Sequence, residues 1–125
     1  SFVLPTGMTI NMNGTTMMHM FAVTFIVTAA GIPITFSDMI IMALISIAAA
    51  VGTPAIPIAG TTMIFTVLSG MSWTTDACMI GYALVLAINR PVEMALLPLN
   101  VIGDAAVNVI VNKKEGELNE DIYNS

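Results

Sequence analysis

Polar residues recur on one side of the C-terminal third of the chain. At 100° per residue, Asn89, Glu93, Asn100 and Asp104 fall within roughly 60° of one another on a helix, and Leu96 and Leu97 flank that stripe. Two amides and two carboxylates on one face offer oxygen atoms to a hard cation, or a counter-charge to a cationic ligand group. A second cluster, "NMNGT" at Asn11 to Thr15, sets Asn11, Asn13 and Gly14 in another apolar stretch, where they favour a break in the helix. Plainer readings stand beside these. Asn11 and Asn13 can bridge helices by hydrogen bonds worth about 0.6 kcal/mol each. Asp104 can be a buried protonated carboxyl. Glu93 can pair with Arg90, which lies about 60° from it around the helix.

The elements that must position these residues belong in a bilayer. Of 125 residues 57% are hydrophobic and only 9% charged, with a mean hydropathy of +0.92, far too apolar for a soluble domain of this length. The formal net charge of -5 describes a tail, because six of the eleven charged residues fall between Lys113 and Asp121. The remainder are Asp38, Asp76, Arg90, Glu93 and Asp104. No basic footprint for nucleic acid is present, and neither a nucleophile–base pair, a Gly-rich phosphate loop nor zinc-ligand spacing points to an enzyme. The single Cys78 excludes a disulfide framework and reads as a buried inert thiol. His19 reads as a hydrogen-bonded packing residue, and the eleven methionines as core and lipid-facing filler. The opening "SFVLPTG" lacks Met and the pattern of a signal peptide, so the chain is expected to be the C-terminal piece of a longer protein.

The pattern predicts an all-α membrane protein. A broken transmembrane helix is expected over about 1–34, its apolar run from Thr15 to Ile34 being roughly the 20 residues that cross a hydrocarbon core. Over about 38–73, "MIIMALISIAAAV" and "TTMIFTVLSGM" are each too short to cross and are separated by "GTPAIPIAG", which predicts a re-entrant hairpin with Pro54 and Pro57 at its tip. Asp38 and Asp76 read as caps or interfacial residues, and Trp73 as an interfacial anchor. The last helix, about 75–112, is longer than one bilayer and is expected to tilt or kink at Pro91 or Pro98. Residues 113–125 form a polar tail, and Lys113 and Lys114 place it in the cytoplasm by the positive-inside rule. A span, a re-entrant hairpin and another span make one half of an inverted-repeat transporter, with the other half expected upstream.

"LPTGMTINMNGTT", "SIAAAVGTPAIPIAG" and "RPVEMALLPLNVIGDA" resemble, in order and spacing, the seventh transmembrane segment, second re-entrant hairpin and eighth segment of the dicarboxylate/amino acid:cation symporters, the glutamate transporter homologues. The resemblance covers nearly the whole chain up to Lys114. It implies the core of an elevator-type, multi-pass, homotrimeric transporter of the cell (plasma or inner) membrane, in contact with membrane lipids. By the same resemblance one sodium site takes carbonyls at Gly7, Asn11 and Asn100 with the Asp104 carboxylate; unwound helix supplies such carbonyls. A second site takes carbonyls at Thr9, Ala50, Val51 and Thr53. A third pairs Asn11 with an Asp whose place is held here by Asn13, which removes a negative charge and leaves open whether a proton replaces one of the sodium ions.

The resemblance also assigns the solute. Thr15, Asn100 and the backbone around Ile56 match substrate-holding positions, and Glu93 stands where an Asp binds the substrate amino group. The arginine that reads an acidic substrate falls at Leu96, and an apolar side chain forms no bidentate fork to a carboxylate. With Asn89 on the same stripe and Leu96 and Leu97 beside it, the expected protein is a sodium-coupled symporter of amino acids or dicarboxylates, its favoured ligand a neutral or apolar amino acid. The rival reading is a non-transporting membrane module, or a truncated fragment that assembles with other helices. Passive ion conduction is a third.

Overall fold

The computed structural model describes residues 3–53, 56, 58–119 and 123. They form α1 (Val3–Ile10), α2 (Asn13–Ala29), α3 (Phe36–Val51), α4 (Ala59–Gly70), α5 (Asp76–Ile88) and α6 (Arg90–Lys114), with no strand among them. Pro54 and Pro57, expected at the hairpin tip, lie outside the described residues.

The helix ends follow local chemistry. α1 and α2 part at Asn11 and Met12, where Met12 leaves the helical region with φ -110° and ψ 46°. α2 stops at Ala29, short of the expected Ile34, because Gly31 takes a left-handed φ of 74° and Pro33 cannot continue a helix. At 17 residues α2 is about 25 Å long. α3 opens with a reciprocal cap: the Thr35 hydroxyl accepts from the Asp38 N–H at 3.3 Å, and Asp38 Oδ2 accepts from the Thr35 N–H at 2.9 Å. Thr35→Ala removes half of this cap and is expected to cost about 1 kcal/mol, read as a lower melting temperature. α5 is capped by Thr75, whose hydroxyl accepts from the Cys78 N–H, so Asp76 is the first helical residue and not the cap.

The predicted long last helix is two helices. Pro91 has no N–H to continue the ladder from α5, so the chain breaks at Asn89 and restarts with Pro91 in the first turn of α6. Pro98 sits inside α6, and α6 runs past the expected end at 112 to Lys114.

α2 is the central element. Met18, Ala22, Val23, Ile26 and Val27 recur at helical spacing and are buried. They pack with Met42 of α3, with Ile64, Val67 and Leu68 of α4, and with Cys78 and Val85 of α5. Trp73 packs against the edge of this core. α6 contributes no buried residue, yet α6 packs on α1 and α2. That seam is polar and holds the candidate site. Among the described residues α6 is the helix long and apolar enough to cross a membrane, and α3, α4 and α5 are shorter apolar helices. α3 turns Phe36, Ile40, Leu44, Ile47 and Val51 outward.

Candidate functional site

Asn11, in the break between α1 and α2, reaches α6 at two points. Its Nδ2 donates to Asp104 Oδ1 at 3.0 Å and to the Asn100 carbonyl at 3.3 Å. Its Oδ1 accepts from Asn13 Nδ2 at 2.9 Å, and its N–H donates to the Gly7 carbonyl at 2.8 Å. The approach of α1 and α2 to α6 depends on absent side chains. A Cβ on Gly7 would collide with Asp104 Oδ1, on Gly103 with Asn11 Nδ2, and on Gly14 with the Leu96 carbonyl.

Asn100 completes the break. The N-cap residue Met12 supplies no side-chain cap to α2, and the first-turn N–H of Gly14, which has no intrahelical acceptor, donates to Asn100 Oδ1 at 2.8 Å. Asn100 Nδ2 then donates to Thr15 Oγ1 at 3.2 Å and to the thioether of Met12 at 3.6 Å. One amide of α6 therefore caps a helix that lies 86 residues earlier in the chain.

A second network holds Glu93. The Thr61 hydroxyl donates to Glu93 Oε1 at 3.4 Å and accepts from Asn89 Nδ2 at 3.0 Å, and the same Nδ2 contacts the Met18 sulfur at 3.0 Å. Glu93 Oε2 takes Arg90 Nη1 at 2.9 Å. This pair is half open to solvent on the arginine side, and exposed helical pairs of this kind contribute about 0.3–0.5 kcal/mol. It is the one ion pair among the described residues, so Asp104 has no cationic partner there.

Both networks face one cavity of about 430 Å³. Its wall includes Asn11, Thr15, Thr53, Ile56, Glu93, Leu96, Leu97, Asn100 and Asp104, nine of the residues singled out in the sequence. Gly7, Thr9, Asn13, Ala50, Val51 and Asn89 are not part of the described wall. Gly7 and Asn13 support it through Asn11, and Asn89 supports it through Thr61. The Thr9 hydroxyl turns back to the Thr6 carbonyl. The Ala50 carbonyl accepts the Thr53 N–H, and Val51 is exposed. Thr53 is buried, its hydroxyl donating to the Ala49 carbonyl at 2.7 Å. Arg90 also lines the cavity, together with Met8, Met12, Met18 and Met94. No periodic signal marks Thr61 or these thioethers in the linear chain.

His19 lies outside the cavity wall, fully buried, with Nε2 2.8 Å from the Gly60 carbonyl. A carbonyl only accepts, so Nε2 carries the proton and ties α2 to the start of α4.

Oxygen-rich groups around an unpaired carboxylate suit a hard monovalent or divalent cation. No group of three His, Cys, Asp or Glu able to hold a metal ion occurs among the described residues.

The sequence pattern of the sodium:dicarboxylate symporter family matches residues 1–114. The chain is 32% identical over 121 residues to the proton/sodium-glutamate symport protein of Bacillus caldotenax, covering 97% of this chain and 28% of that protein. It is 34% identical over 116 residues to the C4-dicarboxylate transport protein of Sinorhizobium fredii, covering 93% of this chain and 23% of that protein. The chain thus spans about a quarter of the length of these relatives. With the match running from the first residue to the end of α6, the chain belongs to the sodium:dicarboxylate symporter family.

Proposed function

We propose that the protein carrying this chain is a sodium-coupled symporter that moves a neutral amino acid through a cell membrane. The observation that carries the reading is the convergence on one cavity of two carboxylates, only one of which has a cationic partner among the described residues. Asp104, with Asn11, Asn100 and the Gly7 carbonyl, is the sodium end; Glu93, Thr15 and Asn100 are the solute end. A second sodium would use carbonyls of Thr9, Ala50, Val51 and Thr53 once the α3–α4 hairpin closes over the solute near Ile56. Asn13 stands at the third position, where a proton in place of sodium would satisfy the missing charge. Transport proceeds by an elevator movement within a trimer, α6 ending in the cytoplasm at Lys113 and Lys114. No covalent step is involved.

Leu96 and Leu97 on the cavity wall favour a ligand without a second carboxylate. The relatives named for glutamate and C4-dicarboxylates support a second reading, in which Arg90 receives an acidic group. Uptake into sealed vesicles with an inward sodium gradient separates the two, using labelled aspartate, succinate, serine and leucine. Sodium-driven uptake of serine or leucine supports the first reading, and uptake of aspartate or succinate far above both overturns it. Uptake of none by inserted protein shifts the weight to a non-transporting module.

A further inference from the structure

Arg90 stands where its helix gives it no electrostatic support. It is the first residue of α6, and the positive end of a helix dipole repels a cation there while favouring Glu93 in the same turn. The side chain nonetheless reaches the cavity and donates to Glu93 Oε2.

The two partners are held differently. Glu93 is 21% exposed and fixed through Oε1 by Thr61, which Asn89 holds in turn. Arg90 is 50% exposed and makes no other hydrogen bond among the described residues to restrain it. The carboxylate is therefore the anchored half and the guanidinium the movable one, joined by a weak bond.

We propose that Arg90 is a built-in stand-in for the ligand's ammonium group and a determinant of zwitterion selectivity. In the empty cavity it neutralises Glu93. An α-amino acid binds by exchange: its ammonium takes Glu93 Oε2, and the released guanidinium turns its donors to the ligand carboxylate. Both ligand charges are then matched, whereas an amine without a carboxylate leaves the guanidinium unpaired, and an acid without an amine cannot take its place on Glu93. This inference rests on the reading of Glu93 as the ammonium-binding residue.

The test uses the protein expressed from its complete reading frame, in nanodiscs with saturating sodium. Leucine, the amine 3-methylbutylamine and the acid 4-methylpentanoate compete for the site. The wild type is expected to prefer leucine over both. In Arg90→Gln the preference for leucine over the amine falls by about 10- to 100-fold, the range a charge-assisted hydrogen bond supplies. Arg90→Met, which keeps an apolar stem beside Glu93, gives the same comparison if the Gln variant does not fold. An unchanged preference in the folded variant overturns the role of Arg90 and leaves the transporter reading intact. A wild type that binds succinate but neither leucine nor serine overturns both, and it does so before any variant is made.

Discussion

Asp104→Asn is expected to shift sodium-dependent solute binding to far higher sodium while the protein still folds and inserts. The substitution keeps an oxygen to accept from Asn11 Nδ2, a bond of 3.0 Å in the native protein, so the contact between the α1–α2 break and α6 persists. What disappears is the negative charge, the one carboxylate of the cavity without a cationic partner among the described residues. Loss of a charged ligand amounts to about 3 kcal/mol, or on the order of 100-fold in sodium affinity. The measurement is a sodium titration of leucine or serine binding, beside a sodium titration of thermal stability. Both curves should move to higher sodium together. Wild-type sodium affinity in the folded variant would sink the assignment of Asp104, and loss of insertion would instead show that the carboxylate serves packing.

The same site shows what a linear sequence discloses. The Asn100–Asp104 spacing was legible because both lie on one helix, whose period is known in advance. The break at Asn11 and Met12 was legible because Asn and Gly weaken helices locally. Their union was not: the bond from Gly14 to Asn100 joins residues 86 apart, and no local preference encodes it. Thr61 was invisible for a similar reason, being an ordinary helical threonine until packing sets it between Asn89 and Glu93. Asn89 was placed on the stripe by extending one helix through Pro91. The break there moves it off the cavity wall and makes it a support for Thr61. Of the two readings of Glu93, the pairing with Arg90 is present, with the other carboxylate oxygen accepting from Thr61. Of the two readings of Asp76, cap or interfacial residue, only the cap falls away: Thr75 and Asp76 are both good capping types, and backbone geometry alone separates them.

Gly14→Ala is expected to be the most damaging single-methyl change in the chain. Alanine would gain about 1 kcal/mol over glycine by helix propensity alone, so an open position would be stabilised. Here the added Cβ would collide with the backbone carbonyl of Leu96, with the Asn100 amide oxygen also only 3.3 Å away. A side chain can rotate aside, but the Leu96 carbonyl belongs to the backbone of α6 and moves only if that helix moves. Displacing α6 breaks the Gly14–Asn100 bond and draws Asn100 and Asp104 away from Asn11. Overpacking of this kind costs about 1–3 kcal/mol or more, enough to reverse the sign set by propensity. Gly7→Ala and Gly103→Ala make the comparison. Their added methyls meet the movable ends of Asp104 and Asn11, so those variants should melt near the wild type yet lose sodium affinity, because the displaced atoms belong to the proposed ion site. Gly14→Ala should lose both. A Gly14→Ala protein with wild-type melting temperature and sodium affinity would show that α6 is free to shift, and the coupling between the α2 start and the cavity would have to be abandoned.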